Sequence, residues 1–303
     1  MIKLGKQSEE VTEFKRYIGF APVIVKAVNP TKDELVKLGI NVSEEPNYIS
    51  SVEIDGKQVK QTRIAIYVQT VENDNNIDVI SNINFYCTNE YVSNREKTKI
   101  QVIDEFGETA WLTKEEFQNK ILPVKTRVHG EFRPAKRGEA ELTQFIKYWV
   151  GIPDSVEWNN DLSTFQAKSI ASEDLDKYKI SLSWEDIMSG KCEEIRSLIK
   201  QTEEFAEKNN INYKVKVLFG VRTSDDGHRY QVIYPRAFMR NSSKNYSNFY
   251  KRNIEEAMKA GALSNQEFSS LMLHEYVPTK TEITTPETSP IPETTTNLND
   301  LPF

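Results

Sequence analysis

Apolar positions recur along the chain with two different periods. Phe20–Val28 (FAPVIVKAV) and Gln61–Val71 (QTRIAIYVQTV) carry the alternation of strands, and Ile77–Cys87 follows with Ile80, Ile83 and Phe85. Asp55-Gly56 and Asn73–Asn76 supply turns around them. Thr98–Phe106 and Glu108–Leu112 flank Gly107 as a further hairpin, ending in Trp111. Two capping boxes, Thr31-Lys-Asp-Glu34 and Thr113-Lys-Glu-Glu116, predict short helices, because a hydroxyl and a carboxylate three residues apart close the first turn reciprocally. The period changes over Glu139–Val150, where Leu142, Phe145, Ile146 and Trp149 share one helical face.

The stretch 151–182 is polar and irregular, anchored by Trp158, Phe165 and Tyr178. Ser183-Trp-Glu-Asp186 then opens a helix, and Cys192, Ile195, Leu198 and Ile199 extend an apolar stripe toward Asn209-Asn210. Two strand-like runs flank the turn Ser224-Asp225-Asp226-Gly227, and Asn253–Ala260 and 264–273 read as short helices. The pattern predicts an α+β fold: an OB-like antiparallel β-barrel core with a largely helical insertion and a disordered C-terminal tail. Residues 1–16 read as a flexible start, 17–153 as the first part of the core with a basic loop, and 154–210 as the mainly helical insertion. Residues 211–277 are expected to complete the core with a basic hairpin and C-terminal helices, and 278–303 to form the tail.

Charge alters this picture locally. The formal net charge is −6, and half of it lies in the tail, where Glu282, Glu287, Glu293 and Asp300 face only Lys280. Between Asp226 and Glu255 there is no acid, while Arg229, Arg236, Arg240, Lys244, Lys251 and Arg252 interleave with Tyr230, Tyr234, Phe238 and Tyr246. Cations track a phosphate backbone and flat rings stack on unpaired bases, so this composition fits a single-stranded nucleic-acid surface. It fits equally a basic hairpin whose rings face the core. A second basic segment, Lys125–Gly138, holds Lys125, Arg127, Arg133, Lys136 and Arg137 against Glu131. Its Gly130, Pro134 and Gly138 read as loop, either a phosphate-positioning loop or a solvated linker.

Other function classes find little support. No apolar run is long enough to span a membrane or act as a signal peptide, and the expected compartment is the cytoplasm. Cys87 and Cys192 lie far apart, and His129, His228 and His274 are isolated, so neither a disulfide framework nor a metal site is expected. Phosphate-loop, dinucleotide, zinc-hydrolase and nucleophile-elbow motifs are absent from the sequence, and no catalytic residue or cofactor is expected.

The tail is rich in Thr, Pro and Glu, a composition that cannot build a core. Its ending, Asn299-Asp300-Leu301-Pro302-Phe303, resembles the acidic tip of bacterial single-stranded DNA-binding proteins, commonly Asp-Asp-Asp-Ile-Pro-Phe. Asp300, Pro302 and Phe303 match, Leu301 replaces the isoleucine, and Asn299 stands where an acid is usual. The larger folded part is similar in style to the single-stranded DNA-binding proteins of tailed bacteriophages, without the zinc-site residues of one such class. The resemblance implies a protein that coats single-stranded DNA during replication, recombination and repair. It also implies recruitment of polymerase, primase or helicase through Asp300, Leu301, Pro302 and Phe303, in a bacterial host cytoplasm. The alternative is a virion or other assembly protein that uses the basic hairpin as a contact surface.

Overall fold

The computed structural model describes residues 16–71, 79–209, 215–223, 229–240 and 274–276. Its strands are β1 (Arg16–Val28), β2 (Ile49–Ile54), β3 (Lys57–Thr70), β4 (Ile80–Thr88), β5 (Lys99–Asp104), β6 (Thr109–Thr113), β7 (Phe132–Pro134), β8 (Val156–Asn159), β9 (Thr164–Ala167), β10 (Val215–Thr223), β11 (Arg229–Arg240) and β12 (His274–Tyr276). The helices are α1 (Lys32–Lys37), α2 (Lys114–Gln118), α3 (Glu139–Val150), α4 (Trp184–Ser189) and α5 (Glu193–Asn209), with a 3-10 turn at Ser172–Lys177. Both capping boxes form as the sequence predicts, at Thr31–Glu34 and Thr113–Glu116. Asp55 and Gly56 both take positive φ, as a two-residue hairpin turn between β2 and β3 requires.

The main sheet is antiparallel and curled into a half-barrel. β1 pairs with β3 on one edge and β10 on the other, β3 with β4, and β10 with β11. The late hairpin therefore does extend the sheet begun by the first strands. β4 and β11 stand at opposite ends of this path, yet the rings of Phe85 on β4 and Phe238 on β11 come within 6.2 Å. Phe145 of α3 fills the space between them, 5.5 Å from Phe85 and 5.3 Å from Phe238. The gap is thus packed with aromatic side chains from sheet and helix, and the apolar stripe read on α3 is what packs it.

Alternation along β3 separates two cores. Ile64, Ile66 and Val68 point into the main core, whereas Ala65 and Tyr67 point outward under Leu35, Leu38, Ile40, Val42 and Tyr48. The β1–β3 connection therefore covers part of the outer face. Ile187, Met188, Cys192 and Ile195 of the α4–α5 segment join the main core. Asn29, just past β1, fastens this segment: its amide donates to Gly190 O at 3.0 Å, and its Oδ1 accepts from Ala65 N at 2.7 Å. A small sheet, β6-β5-β7, stands beside the half-barrel over its own core of Val102, Leu112 and Val128.

One sequence expectation needs correction and another an addition. The segment 125–138, read as loop, contributes β7, because Ile103 pairs with Arg133 and gives this stretch a strand partner. The stretch 154–210 does carry the 3-10 turn, α4 and α5, but it opens with a feature the sequence reading did not include, the β8–β9 hairpin, with the crossed Trp158 and Phe165 rings 5.0 Å apart. The N-terminal residues 1–15, the turns at Asn73–Asn76 and Ser224–Gly227, the helices expected at 253–273 and the tail 278–303 lie outside the described residues.

Candidate nucleic-acid interface

Two of the aromatic rings expected on the surface of the basic hairpin face the interior instead. Phe238 is fully buried among Phe85, Phe145 and Tyr148, and Tyr234 is buried as well. Gly220 makes room for Tyr234, since a Cβ there would fall 2.0 Å from the ring. The pairing register jumps from Val217–Phe238 to Phe219–Ile233, so Tyr234–Ala237 form a bulge around Pro235, and parity cannot be carried through the strand. Arg240 is likewise internal in role: it donates to Asp154 at 2.8 Å and Ile152 O at 2.7 Å, and stacks on Tyr148 at 4.6 Å. Arg229, Tyr230 and Arg236 are described only as strand backbone, and Lys244, Tyr246, Lys251, Arg252, Asp300, Leu301, Pro302 and Phe303 lie outside the described residues.

The basic loop divides between structure and surface. Arg127 is held by Glu108 at 2.7 Å, reaches Asp154 at 3.5 Å, and covers the Phe165 ring. Lys147, almost wholly buried on α3, donates to Glu108 at 2.6 Å and to Phe106 O at 2.9 Å. Lys147, Glu108, Arg127, Asp154 and Arg240 thus form one chain of ion pairs joining the small sheet, α3 and β11. Burial pushes the Glu108 carboxyl up, but the Arg127 hydrogen bond and the Lys147 charge outweigh it and leave Glu108 below its ordinary range. Asp154 is lowered in the same way, burial being outweighed by Arg240 and Arg127. Arg127 and Arg240, expected on phosphates, are therefore committed to the fold. Arg133 is paired with Glu139 at 2.6 Å, although its side chain remains exposed. Lys125 is exposed beside Val124.

Lys136 and Arg137 have a different setting, against the end of β4. Thr88 N donates to Arg137 O, Arg137 N donates to Glu90 O, and Tyr91 bridges Lys136. This close approach depends on Gly138, where a Cβ would lie 2.4 Å from Tyr86 O. Arg137 Nε is buried with no hydrogen-bond acceptor among the described residues, and so is Arg63 Nε on β3. Arg63 pairs across the sheet with Tyr86, Ala65 with Asn84, and Tyr67 with Asn82. Ile83, Phe85 and Cys87 face the main core, so Asn82, Asn84 and Tyr86 form a half-buried polar and aromatic strip on the outer face, with Arg63 at its end. Arg63 also lies over the Tyr48 ring at 5.4 Å.

Sequence reading missed this strip, although the alternation of Asn82–Cys87 (NINFYC) carries it: Ile83, Phe85 and Cys87 are apolar and the residues between them are amides or tyrosine. Beyond β4, Tyr91, Arg133, Lys136, Glu139 and Trp184 line an open cleft that continues past Lys60 and Asn89. Among the described residues, no cluster of His, Cys, Asp or Glu is arranged to hold a metal ion, and no helix is long and apolar enough to cross a membrane. Compared with protein-family models, curated proteins and solved structures, the chain matches none of them.

Proposed function

We propose that this protein binds single-stranded DNA without sequence preference across an OB-type barrel and recruits partner proteins through its C-terminal tip. The observation that carries the reading is the order of strand pairing. An OB barrel pairs its first strand with the second and fourth, the second with the third, and the fourth with the fifth, then brings third and fifth together. β1, β3, β4, β10 and β11 make the first four of these pairings, and between the third and fifth strands, where no pairing is formed among the described residues, the Phe85 and Phe238 rings meet at 6.2 Å. OB barrels hold oligonucleotides on the face of their second and third strands, which here are β3 and β4; since Ala65 and Tyr67 are covered, the open part of that face is the β4 strip with Arg63 at its end.

The chemistry of that face supports the same reading. Arg63 and Arg137 are half-buried at the end of the strip, each with a buried Nε–H that has no acceptor among the described residues, and the outer edges of their guanidinium groups suit a phosphate. Tyr86 adds a ring for stacking, and Asn82 and Asn84 adaptable amides. The test is a titration of the full chain with oligo-dT, duplex DNA and RNA at several salt concentrations. Binding of oligo-dT that weakens steeply with salt, and that Arg63→Ala or Tyr86→Ala reduces, is expected. Binding confined to duplex, or no binding to oligo-dT at low salt, overturns the proposal. Deleting residues 297–303 is expected to abolish partner recruitment while leaving DNA affinity unchanged or higher.

A second reading, an assembly protein, is favoured by one observation. Val124, Trp158 and Leu162 are exposed near the β8–β9 hairpin, where Thr164 bonds Val124 O. It requires a defined oligomer without nucleic acid, which analytical ultracentrifugation measures directly.

A further inference from the structure

The cleft beyond β4 lies off the barrel face and has its own chemistry. Tyr91 is 60% exposed. Across from it Trp184 packs on the main core, and its Nε1 donates to Asn89 Oδ1 at 2.9 Å, which fixes the rotation of the indole. Between them Lys136 holds its Nζ 5.2 Å from the centre of the Trp184 ring. Of the two acids at the wall, Glu139 is occupied by Arg133 and by Lys136 N, while Glu185 stands exposed at the rim. Lys60 extends the cationic side. The two halves of the cleft measure about 310 and 470 Å³ and share Lys136 and Trp184. Such volumes fall at the lower end of the roughly 300–1,000 Å³ typical of small-ligand sites.

We infer that this cleft is a nucleotide subsite, in which Trp184 stacks one base, Tyr91 stacks its neighbour, and Lys136 takes the intervening phosphate. The inference rests on the single-strand reading, because Asn89–Tyr91 continue directly from β4 and lead a strand from the Asn82–Tyr86 strip into the cleft. In the free protein Lys136 covers the indole. A bound base takes over that ring face, and the displaced ammonium turns to the phosphate. Both ring faces are sequence-tolerant, as coating requires.

The experiment measures oligo-dT affinity and tryptophan quenching for the full chain and for Tyr91→Ala, Trp184→Phe and Trp184→Ala, with circular dichroism as a check on folding. Tyr91→Ala and Trp184→Ala are each expected to weaken binding roughly tenfold. Trp184→Phe is expected to keep most of the affinity but lose most of the quenching. Should Trp184→Ala fail to fold, the exposed Tyr91→Ala and the still aromatic Trp184→Phe decide the matter. Wild-type binding that both of these variants leave unchanged, in affinity and in quenching, overturns the subsite and leaves the barrel reading standing. Failure of the wild type to bind oligo-dT overturns both.

Discussion

Removing the Phe238 ring separates a core role from a stacking role. Truncation of a fully buried phenylalanine costs about 3–5 kcal/mol, the sum of lost transfer free energy and the cavity left behind. Here three aromatic neighbours lose a partner, Phe145 at 5.3 Å, Tyr148 at 6.1 Å and Phe85 at 6.2 Å. Such ring pairs add about 0.5–1.5 kcal/mol beyond area alone, so Phe238→Ala belongs near the upper end, about 4–5 kcal/mol. Against a total stability of about 5–15 kcal/mol, that change removes about a third of it or more, and at the lower end of the range leaves part of the population unfolded. Phe238→Leu keeps most of the volume and is expected to cost only about 1–2 kcal/mol. Urea denaturation followed by circular dichroism measures both, and fluorescence anisotropy with oligo-dT measures binding by the folded fraction. A stacking ring gives the opposite outcome, because its loss removes about 1–3 kcal/mol of binding with little change in stability. A Phe238→Leu protein as stable as wild type but binding tenfold more weakly would refute the core assignment.

Acid should weaken the fold through Glu108 and Asp154. Both are held below their unfolded values, so their stabilisation is complete above about pH 4.5 and is lost as pH falls through the depressed folded values. Asp104, raised by burial despite three backbone hydrogen bonds, acts in the opposite sense. Urea midpoints between pH 7 and pH 3 should therefore fall less in Glu108→Gln than in wild type. Gly138→Ala, at φ +81° and facing Tyr86 O, should cost about 2–4 kcal/mol in the same assay. Arg63→Ala and Arg137→Ala should each lower the slope of log affinity against log salt by about 0.7 for a single strand. An unchanged slope would remove that residue from the phosphate path.

Local chemistry made much of the fold readable. The Thr31 and Thr113 capping boxes, the Asp55-Gly56 turn and the apolar face of α3 each act within a few residues, and each formed where the pattern put it. Features set by distant partners were harder to read. β7 exists because β5 supplies a ladder partner, and nothing in Phe132-Arg133-Pro134 announces it. The largest shift concerned the candidate site. Composition identified a basic, aromatic hairpin, but the bulge at Tyr234–Ala237 and the curl of the sheet decide which side each ring takes. Arg127 and Arg240 look like any surface cation in sequence, and only their burial beside Glu108 and Asp154 reveals a structural role.

β1 has one more consequence, for the time before the chain is complete. Its inner partner β3 follows soon, but the opposite edge waits for β10, beyond the whole stretch from Val28 to Val215. At 5–20 residues per second, a ribosome takes roughly 10–40 s to cover that interval. Throughout it, Gly19–Val23 offers unpaired amides and carbonyls to any passing strand, as sheet borders do. The nascent polypeptide thus needs protection at that border, and slowed synthesis within the intervening segment should raise the yield of insoluble product.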